Sequence, residues 1–263
     1  MRPSPGRGDC MERFGMPVGY HSLSWNWGQG LFTAISDLSA LGYAGTESFA
    51  DIAQWDDFRL LDLEEHLSSH RMTLASLYYD GALGHPGQRS LHVENAARAA
   101  GLLERLGGST LVVGGGQLQS LPQELEEMAK TLDAMAQAAW PHAVTLALHP
   151  HQGCLVYDEQ SIEKVLSLTD PKAVLLCPDT AHLALAGMDP AQVVKRHAGR
   201  IGYVHLKDYA SGEFRPLGEG QLDIPRVLGT LAYSGYKGWV MVEYDGQSRQ
   251  AEHASRALEA LRA

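Results

Sequence analysis

The chain has 263 residues, with 21 basic side chains against 31 acidic ones and a formal net charge of −10. That balance excludes the basic stripe on which nucleic-acid binders rely, and no apolar run approaches the ~20 residues needed to span a bilayer. Cys10, Cys154 and Cys177 are odd in number and contain no CxxC pair, so a disulfide framework and a thiolate zinc site are both disfavoured and a reducing cytoplasm is the expected location.

Residues 1–15 are rich in Pro, Gly and Arg and read as a flexible tail, with the native start alternatively at Met11 or Met16. From 16 to 263 no Pro/Gly/Ser linker or charge block divides the chain, which predicts a single domain. Short β-prone runs recur at 18–23, 45–48, 73–79, 110–113, 144–149, 174–178, 201–206 and 239–243, each followed by a longer helical pattern. The clearest helix covers 125–140, where Leu125, Met128, Leu132, Met135 and Ala139 fall on one face. Another begins at Asp189-Pro190, an acidic cap followed by a proline suited to the first turn.

The strands are nearly continuous apolar runs, such as TLVV and VTLAL, as expected when both faces of a parallel sheet are covered. Eight such units favour a closed (β/α)8 TIM barrel over a doubly wound open sheet. The open sheet would carry a glycine fingerprint after its first strand, and GYHSLSWNWG is not one. Gly114-Gly115-Gly116 lacks that spacing too and reads as a place where backbones pass closely at the barrel mouth.

In such a barrel the chemistry sits at the carboxyl ends of the strands, and polar residues collect there. His21 and Trp25 follow the first strand, Glu47 ends the second, and Tyr78 and Tyr79 end the third. His149-Pro150-His151 end the fifth, Asp179 and His182 follow the sixth, His205 and Lys207 the seventh, and Glu243 the eighth. His149, Asp179, His205 and Glu243 thus offer two imidazoles and two carboxylates from successive strands ~4.8 Å apart. That donor set suits Mn²⁺, Co²⁺, Fe²⁺ or Zn²⁺ better than Ca²⁺. His205 and Lys207 share a strand parity, so both face the mouth.

His21, Trp25, Glu47 and Tyr78 are candidates for substrate contact. For Trp25, Trp27, Tyr78 and Tyr79 the competing expectation is that they simply fill the upper barrel, and for Glu47 that it orients a neighbouring Lys or His. His66 and His70 lack the HExxH glutamate and read as a solvated helix face. His85, His92, His142, His197 and His253 read as surface or capping residues. No GxSxG elbow and no P-loop is present.

Three segments carry a longer pattern: LALHPHQGCLVYDEQSIEKV (146–165), CPDTAHLALAGMDPAQVVKRHAGRIGYVHLKDY (177–209) and FRPLGEGQLDIPRVLGTLAYSGYKGWVMVEYDG (214–246). In these the chain resembles the xylose-isomerase-like TIM barrels, which include sugar phosphate isomerases and epimerases, inosose dehydratases and endonuclease IV. The resemblance implies a divalent metal, most often Mn²⁺ with Co²⁺, Mg²⁺, Fe²⁺ or Zn²⁺ as alternatives, held by Asp179, His205 and Glu243. It implies substrate contacts from His182 and Arg215. Where the family commonly has a glutamate, this chain has His149, followed by His151. That H-x-H run looks like the inosose-dehydratase branch, although the segment from Lys207 to Phe214 is shorter than that branch leads one to expect.

The expected reaction is removal of a proton α to a ketone and loss of a β-hydroxyl as water. His149 or His151 would be the base, Glu243 a ligand with a proton-transfer role, and Lys207 the stabiliser of developing enolate charge. The substrate would be a polyhydroxy ketone or aldehyde. The alternative is an aldose–ketose isomerase or ketose 3-epimerase at the same site. A DNA-repair enzyme of the endonuclease IV kind is disfavoured by the −10 charge, and a non-catalytic sugar-binding barrel is a further alternative. Neither nucleic acid nor membrane is an expected partner, while a homodimer is compatible with the chain.

Overall fold

The computed structural model describes residues 15–262. The expected flexible tail therefore falls, but for Gly15, outside the described residues. The barrel strands are β1 (Val18–His21), β2 (Gly45–Phe49), β3 (Thr73–Tyr79), β4 (Thr110–Gly114), β5 (Thr145–His149), β6 (Val174–Leu176), β7 (Val204–Leu206) and, after a hairpin of β8 (Asp208–Ala210) and β9 (Glu213–Arg215), β10 (Val240–Val242). Their order in the sheet is β6-β5-β4-β3-β2-β1-β10-β7, all pairings parallel. Parallel bridges Leu176–Ile201 and Asp179–His205 join β6 to the β7 side and close the ring. This is the TIM barrel that strict βα alternation predicts.

The helices are α1 (Leu31–Leu41), α2 (Asp57–His70), α3 (Arg89–Leu106), α4 (Glu124–Ala139), α5 (Glu159–Leu168), α6 (Thr180–Leu185), α7 (Pro190–Arg196), α8 (Ile224–Tyr233) and α9 (Gln250–Arg262). The helix expected over 125–140 is α4, set one residue earlier, and it buries Met128, Leu132, Met135 and Ala139 completely. Asp189 caps α7 through the amides of Ala191 and Gln192, with Pro190 in the first turn. No helix among the described residues is long and apolar enough to cross a membrane.

Two apolar layers result. The larger lies between the strands and the surrounding helices. The smaller fills the barrel itself with Ala75, Val112, Ala147, Cys177, Tyr203 and Met241, each with no exposed surface. A Cβ on Gly19 would lie 2.5 Å from Met241 Cε, and one on Gly45 would lie 2.7 Å from the Trp239 ring. Glycine in β1 and β2 therefore makes the room that Met241 and Trp239 fill. Inside this layer the Ser76 hydroxyl donates to Tyr203 Oη at 2.7 Å, so its polar atoms are satisfied.

The β8–β9 hairpin is a departure from the loop expected between Lys207 and Phe214. Its antiparallel pairs run Asp208–Arg215, Tyr209–Phe214 and Ala210–Glu213. The turn residues Ser211 and Gly212 have φ of +54° and +89°, the left-handed pair that a two-residue hairpin requires.

Candidate active site

Four buried side chains converge at the carboxyl end of the barrel. His149 ends β5, Asp179 follows β6, His205 lies within β7, and Glu243 follows β10. One ligand atom from each lies within 4.8 Å of all the others. Asp179 and His205 have no exposed surface, His149 has 1% and Glu243 has 8%. His149 Nε2 stands 3.5 Å from Asp179 Oδ2, and His205 Nδ1 stands 2.7 Å from Glu243 Oε2.

Three of the four side chains are fixed from behind. Asp179 Oδ1 caps α6 by accepting from the amides of Ala181 and His182 at 2.8 and 2.9 Å. His205 Nε2 meets Glu47 Oε2 at 3.0 Å, and Glu243 Oε1 accepts from Lys207 Nζ at 2.8 Å. His149 Nδ1 and Nε2 and Asp179 Oδ2 are buried without a well-formed hydrogen bond, and His205 Nδ1 meets only the Glu243 carboxylate. Buried polar atoms are rarely left so, and here they belong to groups that bind cations. The residues present therefore fit a divalent metal, with Glu47 in the outer position that carboxylates commonly take behind a ligating histidine.

Electrostatics agree with that fit. Burial drives the His149 pKa down, against the pull of Asp179, so the ring is neutral. Burial opposes ionisation of Asp179 and Glu243 as well. The neighbouring His182 and His149 rings and the Lys207 ammonium nevertheless hold Asp179 below its ordinary range, while Lys207 and His205 hold Glu243 well below its own. At His205 the burial cost is outweighed by Glu47 and Glu243, which push its pKa well above the usual imidazole value. Lys207, raised by Glu243, Asp179 and Asp245 in spite of burial, remains an ammonium.

Above the cluster is a cavity of about 170 Å³ walled by His21, Tyr78, His149, His151, Lys207 and Glu243, together with Trp27, Phe49, Leu23 and Asp245. Tyr78 can cross the mouth because β4 ends in glycine; a Cβ on Gly114 would lie 2.6 Å from Tyr78 Oη. His21 Nδ1 accepts from the Leu23 amide, leaving Nε2 toward Glu47 Oε1 at 3.5 Å. His151 Nδ1 lies 2.7 Å from the Gln152 carbonyl. A carbonyl only accepts, so in the neutral ring Nδ1 carries the proton and Nε2 is the basic nitrogen.

Trp25 and Arg215 are corrected as substrate contacts, and Glu47 stands in the orienting place that was its competing expectation. Trp25 is in the core, not the cavity: its ring packs edge-on against Tyr20 and its Nε1 donates to Asp37 at 2.9 Å. Glu47 is fully buried below the cavity between His205 and His21, so it orients histidines instead of touching a ligand. Arg215 pairs with Glu213 on the exposed hairpin. Its neighbour Phe214 takes the inward place, 5.2 Å from the His182 ring and 4.2 Å below the Lys207 ammonium, and strand alternation turns Arg215 the other way.

His182 is near but screened, tilted against the His151 ring with centroids 3.8 Å apart and lowered by burial to a pKa of about 3. Among the histidines read as surface or capping, His85 does cap, through the Gly87 amide. His92 and His253 are instead buried, at 2% and 5% exposure. His66 is half-buried, bonded to Ser36 Oγ at 3.0 Å. Sequence reasoning missed Phe49, Asp245 and Phe214. The signal for the first two was parity: Phe49 and Asp245 each stand two residues beyond Glu47 and Glu243.

A family model described as the xylose isomerase-like TIM barrel matches residues 35–263. The chain belongs to this family. An inosose dehydratase of Mesomycoplasma hyopneumoniae strain J is 27% identical over 266 residues, spanning 87% of each chain. The rhizopine catabolism protein MocC of Rhizobium meliloti is 29% identical over 252 residues, 82% of this chain and 75% of that one. Among solved structures, the IOLI protein with a bound zinc atom superposes with a TM-score of 0.79 at 16% identity, over 94% of this chain and 96% of that one. The chain is accordingly an enzyme of the sugar-modifying kind, on the inosose-dehydratase-like side of its family.

Proposed function

We propose that this enzyme is a divalent-metal-dependent dehydratase acting on a sugar or cyclitol ketone, of the inosose-dehydratase type. The observation that carries the reading is the convergence of buried ligand atoms from His149, Asp179, His205 and Glu243, the last three side chains each held from the other side. These four residues would hold the metal. Two imidazoles with two carboxylates suit Mn²⁺, our first choice, as well as Zn²⁺, which the IOLI relative contains. When bound, the metal would supply Lewis-acid polarisation of the ketone and an adjacent hydroxyl.

The chain's own groups divide the remaining work. His151 Nε2 removes the proton α to the carbonyl, its tautomer set by Gln152. Lys207 holds two of its three protons on Glu243 Oε1 and Asp245 Oδ1 at 2.8 and 2.7 Å, leaving one for the developing enolate oxygen. The proton taken by His151 is returned to the departing β-hydroxyl, which leaves as water. Phe214 and Phe49 keep apolar surface beside these charges. The cytoplasmic location belongs to the same reading and rests on cysteines that are unpaired among the described residues.

The test is incubation of the Mn²⁺-loaded enzyme with an inosose and with free ketoses in D₂O. Formation of an unsaturated ketone or dione with release of water is expected from the inosose. Deuterium uptake into a ketose without loss of water would replace the dehydratase reading with the isomerase or epimerase alternative. A DNA-repair role is not supported, since the described residues hold one four-residue metal group on a chain of net charge −10.

A further inference from the structure

The cavity over the metal-ligand cluster, at about 170 Å³, is smaller than the roughly 300–1,000 Å³ of ordinary small-molecule sites. Beside it lies a second cleft of about 380 Å³, and Phe49 and Tyr78 wall both. This cleft opens between the residues that follow β2 and the outer face of α3, on the same side of the barrel as the cluster. We propose that it seats a second, uncharged polyhydroxy ring, so that the site takes glycoside-like ketones in preference to monocyclic ones and does not select sugar phosphates. The inference rests on reading the smaller cavity as the reacting end.

The chemistry of the walls carries this choice. Aromatic side chains, Tyr79 as well as the shared Phe49 and Tyr78, offer faces against which the C–H side of a sugar ring packs. Tyr79 is held in place, its Oη meeting His92 Nδ1 at 2.6 Å and accepting from Asn95 Nδ2 at 3.3 Å. Gln54 and Asn95 add amides, and Asp51 and Asp80 add carboxylates, groups that pair with hydroxyls. The cleft's cation is Arg98, and its Nη2 is already bonded to Glu94 at 2.9 Å. In the neighbouring cavity Lys207 is likewise held by two carboxylates. A phosphate would therefore meet more negative than available positive charge, whereas a neutral ring would not.

The inference is tested by calorimetric titration of the intact protein with glucose, glucose 6-phosphate and a panel of neutral disaccharides (cellobiose, maltose, sucrose and trehalose). At least one disaccharide is expected to bind about tenfold or more tightly than glucose, with glucose 6-phosphate no tighter than glucose. Gln54→Trp, a change at an exposed wall residue, should fill the cleft and erase the disaccharide advantage, with the circular dichroism spectrum and metal stoichiometry unchanged. Equal or weaker binding of every disaccharide would overturn the proposal. So would a preference for the phosphate ester, or a disaccharide advantage that survives Gln54→Trp. None of these readouts requires turnover, so failure of the dehydratase assay leaves the outcome distinct.

Discussion

Glu47 shows how a residue outside the cavity can govern it. Its Oε2 faces His205 Nε2 at 3.0 Å, which directs Nδ1 of the same ring toward Glu243 and the cluster. Glu47→Gln keeps an acceptor there but removes the charge. We expect metal affinity to fall by about 10–100-fold, read by chelator competition, with the circular dichroism spectrum unchanged. His205→Ala, by contrast, should eliminate stoichiometric metal in elemental analysis. A pH dependence follows from His205 itself. Glu47 and Glu243 raise its pKa in the metal-free protein, so below that pKa a proton must leave before metal binds. Affinity should therefore rise by roughly tenfold per pH unit and level off above the His205 pKa; a pH-independent affinity would contradict the ligand assignment.

At the same scale, His149, Asp179, His205 and Glu243 were legible because each stands at a predicted strand end and each type is a metal ligand. Trp25 was not. It lies four residues beyond His21, but a short 3₁₀ turn over Ser22–Ser24 carries the chain away from the mouth and buries the indole against Tyr20. Nothing in the residue order announces that turn.

Secondary elements were readable where one local rule dominated, as at the Asp189-Pro190 start of α7. Helix α5 begins with a capping box, in which the Asp158 carboxylate accepts from the Ser161 amide at 2.8 Å and Ser161 Oγ accepts from the Asp158 amide at 3.1 Å. Asp158→Ala should cost about 1 kcal/mol and lower Tm by roughly 2–4 °C in a chain of this size, measured by calorimetry, with metal stoichiometry intact. The β8–β9 hairpin was less readable, since three-residue strands give too short a pattern for periodicity to register. Its consequence is local but chemical, because it decides that Phe214 and not Arg215 faces Lys207 and His182.

Across the whole molecule, the interior of the barrel depends on a match between distant strands. Met241 on β10 has no exposed surface and occupies the room left by Gly19 on β1. Met241→Ala should open a void next to glycine, with little nearby side chain able to fill it, and cost about 2–5 kcal/mol. Denaturant titration would show it as a lower midpoint at unchanged slope.

The eight strands, their parallel sense and the end of the barrel at which chemistry collects were legible in the order of the residues. Those features follow from periodicity, apolar runs and chain connectivity, which are properties of neighbouring residues. Only the folded chain shows that His205 is the residue Glu47 orients, that Trp25 packs outside the barrel against Tyr20, and that Phe49 and Tyr78 divide two adjoining cavities. Each of these depends on where closure of the ring, through Asp179–His205 and Leu176–Ile201, brings side chains from strands far apart in sequence. Contacts of that kind are set by packing in three dimensions, and no local pattern along the chain encodes them.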